Sequence, residues 1–94
     1  MSKRSIQRKL TRISKRLRGL RAELVAVDEQ LRSLRADADD TAIRAMVAEN
    51  TAADREARQA REHASAYLRQ RERVTTEIAE LERRQDDLLD QLTA

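Results

Sequence analysis

The chain has 94 residues, of which 39% are charged, with a formal net charge of +3, one Gly, no Pro, no Cys, no Trp, no Phe and a single Tyr. One small domain is the most this length allows, and few large apolar residues are present to fill a compact core. Without Cys there is no disulfide framework and no thiolate metal site, and apolar runs of no more than four residues exclude a membrane span.

The first stretch, "SKRSIQRKLTRISKRLRGLR" at 2–21, holds nine basic residues and no acidic one. This basic, Ser-containing start resembles a mitochondrial transit peptide. A heptad runs through it without a break, however, and identifies it as part of the fold. Ile6, Leu10, Ile13, Leu17, Leu20, Leu24, Val27, Leu31 and Leu34 alternate at spacings of four and three. Leu10, Leu17, Leu24 and Leu31 take the a positions and the others d. The pattern predicts a helix over 3–36. Asp37-Ala38-Asp39-Asp40-Thr41 follows, rich in residues that compete with helical hydrogen bonds. It predicts a connector over 37–50, in which Ile43, Met46 and Val47 form a short helix or an apolar turn. Asn50 or Thr51 reads as the N-cap of the next helix, with Asp54 in its first turn.

The heptad resumes over 51–92 with Ala53, Ala57, Ala60, Ala64, Tyr67, Arg71, Val74, Ile78, Leu81, Gln85, Leu88 and Leu92. Four consecutive core alanines require another helix to approach closely. Arg71 and Gln85 at a positions read as polar residues that set register. The expected fold is therefore all-α, a single domain over 1–94 built as an antiparallel coiled-coil helical hairpin of two long helices. Val25, Leu68 and Leu89 lie off the seam and point to association into a larger helical bundle, with a second copy or another protein.

Charge suggests a register for the hairpin. Placing Leu10 opposite Leu81, Leu17 opposite Val74, Leu24 opposite Tyr67 and Leu31 opposite Ala60 flanks the seam with three attractive pairs, Arg16–Glu77, Asp28–Arg61 and Arg35–Asp54, against two repulsive ones, Lys9–Arg84 and Asp37–Glu56. It also pairs Met1 with Asp90. A shift of one heptad sets Arg16 against Arg84, Glu23 against Glu77 and Arg35 against Arg61. Each exposed pair is worth only ~0.2–1 kcal/mol, but their sum favours the first register.

No catalytic, cofactor-binding or metal site is expected. His63 is the single histidine, and nothing near it completes a nucleophile pair or a ligand set. There is no Gly-rich phosphate loop, and one tyrosine supplies no base-stacking platform. Two surface features remain. Arg4, Arg8, Arg12, Lys15 and Arg18 fall at outward heptad positions, where a partner helix cannot reach them. Glu80, Asp86, Asp87 and Asp90 make the outer face of the opposing C-terminal stretch acidic. At the turn, Asp37, Asp39, Asp40, Glu49 and Asp54 form an acidic group.

That acidic group, with "AEN" at 48–50 and "EIAELE" at 77–82, resembles the coiled-coil half of the Gre-type transcript-cleavage factors. The resemblance implies a polymerase-channel factor whose acidic tip helps hold a metal ion. The spacing between the two pieces is about three turns longer than that family's. The residues themselves lead first to a small cytoplasmic, non-enzymatic coiled-coil adaptor that binds a protein partner or itself. A second class is electrostatic, sequence-independent nucleic-acid binding by the basic N-terminal helix. Arg-over-Lys usage with abundant Ala fits a GC-rich, bacterial genome.

Overall fold

A computed structural model describes residues 2–94; the expected Met1–Asp90 pairing lies outside them. Two α-helices, α1 (Lys3–Ala48) and α2 (Thr51–Thr93), pack against each other as an all-α helical hairpin. Their residues group into two compact units, Met1–Leu24 with Arg73–Ala94 and Val25–Glu72.

Local hydrogen bonding explains both helix starts and the reversal. Ser2 caps α1: its Oγ accepts from the Ser5 backbone N–H at 3.1 Å. At the other end of α1, Glu49 adopts φ 50°, the left-handed conformation that terminates a helix. Its N–H donates to the Ala45 carbonyl at 3.2 Å, satisfying one of the last free acceptors. Asn50 then caps α2, its Oδ1 accepting from the Ala53 N–H at 2.8 Å. Its carbonyl takes the first intrahelical bond, from Asp54. Reversal is complete within Glu49-Asn50, and of the two expected cap candidates Asn50 is the one used.

The expected connector over 37–50 is not formed, because α1 continues through it to Ala48. Asp in a helix interior costs no more than ~0.7 kcal/mol relative to Ala, which packing readily overrides. Thr41, expected to break the helix, is 7% exposed within it. Its hydroxyl donates to the Asp37 carbonyl at 2.8 Å, so a buried polar group is satisfied without leaving the helix. Ile43, Met46 and Val47 lie on the last turns of α1 with their side chains in solvent.

A reversal this tight fixes how the helices face each other, one heptad away from the charge-based expectation. Leu10 comes level with Leu88, Leu17 with Leu81 and Leu20 with Ile78. Correspondingly, Ile6, Ile13, Leu17 and Leu88 form one buried cluster in the first unit, covered by Leu10, Ile78, Leu81 and Leu92. Leu17 and Leu20 are the most completely buried side chains, at 1% and 0% exposure. In the second unit Leu31 comes level with Tyr67 and Leu34 with Ala64. Beyond them Ala38, Thr41 and Ala45 continue the α1 seam opposite Ala60, Ala57 and Ala53. Small residues thus face the expected core alanines here, and Thr41 and Ala57 are both buried.

The ion pairs show why the charge argument failed. Arg16 does meet Glu77, through Nε–Oε2 at 2.8 Å and NH2–Oε1 at 3.0 Å. It reaches that residue diagonally from the shifted register. Asp28 pairs with Arg71 at 2.6 Å rather than with Arg61, and Arg21 lies 3.6 Å from Glu82. Long side chains at half-exposed positions choose partners across a full heptad, so the charges tolerate more than one register. Closing the turn and burying the seam do not.

Candidate functional site

Arg4, Arg8, Arg12, Lys15 and Arg18 stand on α1, all exposed, on the side away from the apolar seam. Ile6, Ile13, Leu17 and Leu20 anchor the opposite side of the helix in the core. Steps of four and three residues keep the five cations on one face and spread them over about 21 Å of helix at 1.5 Å per residue. None of the five makes an ion pair with another described residue. Gln7 and Thr11 lie beside Arg4, Arg8 and Arg12 and line an open groove with them. The Thr11 hydroxyl donates to the Gln7 carbonyl at 3.0 Å, so its hydrogen is already engaged within the helix.

The placement of this charge opposes the helix that carries it. The first turn of α1 contains no acidic residue; Lys3 and Arg4 sit where the backbone N–H groups already concentrate positive potential. Each such cation costs typically ~0.3–1 kcal/mol relative to a favourable charge at that end. The last turn of α2 likewise contains no basic residue. Its Glu80, Asp86, Asp87 and Asp90 are exposed and belong to the same unit as the stripe. That unit therefore carries one basic and one acidic outer face.

Where Arg16 and Glu77 do pair, the electrostatics are ordinary. Hydrogen bonding to Arg16 holds the Glu77 carboxyl below its usual value, with desolvation acting the other way. The same hydrogen bond raises the Arg16 guanidinium further above its already high value. Arg71, half-buried at its core position, sends Nε to Asp28, so a charge placed in the seam finds its partner at the seam's edge.

The acidic tip is not assembled as expected. Asp37, Asp39 and Asp40 are exposed on the flank of α1. Asp40, the nearest of them, is nine residues, or about 13 Å of helix, before Glu49. The continuation of α1 moved the reversal away from them. Among the described residues no three His, Cys, Asp or Glu side chains are grouped to hold a metal ion, so the metal implied by the Gre-type resemblance has no fitting site here. Glu49 serves as the helix-terminating residue, and Ile43, Met46 and Val47 are exposed near the turn together with Glu49 and Asp54. His63 packs edge-on to Tyr67 with ring centroids 5.6 Å apart. This occupies the tyrosine ring against its helical neighbour.

No helix among the described residues is long and apolar enough to cross a membrane. Comparison with protein-family models, curated proteins and solved structures yields no match to this chain.

Proposed function

We propose that the protein is a small cytoplasmic, non-enzymatic coiled-coil adaptor that engages a negatively charged partner through the outer face of α1. The observation that carries this reading is the row of five exposed cations with no ion-pair partner among the described residues, the first of which, Arg4, stands in the opening turn of α1 where a cation disfavours the helix. A face kept only for solubility would mix both signs, as "DREARQARE" at 54–62 does on α2. Exposed Val25, Leu68 and Leu89 add a second mode of contact, association with another copy.

The test is co-purification from the native host with the parent protein and with a variant in which Arg4, Arg8, Arg12, Lys15 and Arg18 are all replaced by Gln. The variant is expected to keep its helicity and its sedimentation behaviour, that of a dimer or larger species at micromolar concentration, and to lose the partner. Unfolding of the variant, or undiminished recovery of the same partner, would refute the reading.

A further inference from the structure

We infer that the partner of the basic stripe is the phosphate backbone of a nucleic-acid duplex, contacted without reading its sequence. This rests on the functional reading above and names the chemistry of the partner. Three observations select a duplex over other polyanions. The cations are fixed on one continuous helical segment, spread over about 21 Å, which matches about six base-pair steps at 3.4 Å per step. A rigid row of charges is matched best by a rigid row of phosphates. Between Arg4 and Arg18, α1 exposes no large apolar side chain; the exposed Leu89 of α2 shares a groove with Thr11, Ser14 and Arg18 at one edge of the stripe. Protein interfaces are centred on buried apolar or aromatic anchors, and surface-lying membrane helices need an apolar face. Here the apolar face of α1 is already buried in the seam.

A single strand would need bases to stack on aromatic rings, and Tyr67 is half-buried and packed on His63. Beside the stripe stand Gln7 and Ser14, whose side chains carry N–H and O–H groups that can donate to phosphate oxygens. The acidic outer face of α2, with Glu80, Asp86, Asp87 and Asp90, repels the same polyanion. The duplex therefore meets the protein from the α1 side only.

The experiment measures fluorescence anisotropy of a labelled 20-base-pair duplex of random sequence, titrated with the full chain between 50 and 200 mM salt. Five phosphate contacts give a log–log salt slope of about −4.5, a loss of roughly 500-fold in affinity across that range. Scrambling the sequence should leave the affinity unchanged. Each single Gln substitution in the stripe should reduce the slope by about 0.9, and the five together should abolish binding. A control variant removes the same net charge elsewhere, with Gln at Arg32, Arg55, Arg58, Arg69 and Arg73, and should bind as the parent does.

Equal loss in the control variant would overturn the inference, because net charge and not the stripe would then be responsible. It would also be overturned if the duplex fails to bind at 50 mM salt while phosphatidylserine vesicles or a polyglutamate peptide bind through the stripe. That second outcome leaves the adaptor reading standing and refutes only the choice of nucleic acid. Undiminished recovery of the native partner by the quintuple Gln variant refutes both.

Discussion

Among individual residues, Glu77 shows how a surface pair enters the stability of the hairpin. Its carboxyl is held below the ordinary value by the hydrogen bond from Arg16. A carboxylate with a lowered folded-state pKa contributes stability that is complete above its unfolded value, about 4.3, and is lost as pH falls through the lowered folded value. Denaturant midpoints of the parent and of Glu77→Gln are therefore expected to differ by a constant amount above about pH 5. The two should converge in stronger acid. A gap that persists undiminished at pH 2 would place the effect of Glu77 elsewhere. Arg16–Glu77 was legible in the sequence as a pair, but for a register that the chain does not adopt. Side chains this long made the prediction of the contact insensitive to the error in alignment.

For the helices as elements, the heptads of both were legible because Leu, Ile and Val carry a strong periodic signal. The last dozen residues of α1 were not. There the seam is made by Ala38, Thr41 and Ala45, small residues without a hydropathy contrast, and three aspartates obscured the period. Their partners Ala53, Ala57 and Ala60 hold the missing information, since small residues on one helix call for small residues on the other. The register can be checked by crosslinking. Cysteines at 17 and 81 are expected to form a disulfide readily, and cysteines at 17 and 74 poorly. Arg71 reinforces this choice. In the observed alignment it lies opposite Val27 and reaches Asp28, whereas a shift of one heptad would set it against Leu20, the most buried residue of the core. A charge forced into that site without a partner would cost several kcal/mol. Arg71→Leu should consequently allow some crosslinking of the 17/74 pair, and a crosslinking pattern unchanged by that substitution would remove Arg71 from the explanation.

At the scale of the whole molecule, charge is segregated in a way that the helices do not need. Lys3 and Arg4 stand in the first turn of α1 and Asp90 near the end of α2, each unfavourable for its own helix, and the like charges continue inward along both. The two outer faces then offset each other only in part, with the chain at a formal +3. The stripe was legible from the sequence because outward heptad positions follow directly from the seam, whichever alignment the second helix takes. The acidic tip was misread for the opposite reason. Its assembly depended on where the chain reverses, and that was decided by the capping geometry of two residues rather than by the aspartates.

The reversal at Glu49-Asn50 also protects the hairpin against exchange of helices between copies. Along α1 the seam position held by Leu34 and Thr41 repeats every seven residues, and an uninterrupted heptad would bring it to residue 55. On α2 that position is taken by Ala53, two residues early. Each residue turns a helix by about 100°, so straightening the chain into one helix would point the two apolar seams to nearly opposite sides. A single neighbour could not cover both, and the domain-swapped dimer is disfavoured by phase alone. Inserting two alanines between Glu49 and Asn50 restores the phase. Sedimentation of that insertion variant is expected to show a strand-exchanged dimer that dissociates only on unfolding, while insertion of a full heptad of helix-forming residues leaves the seams out of phase and the hairpin closed.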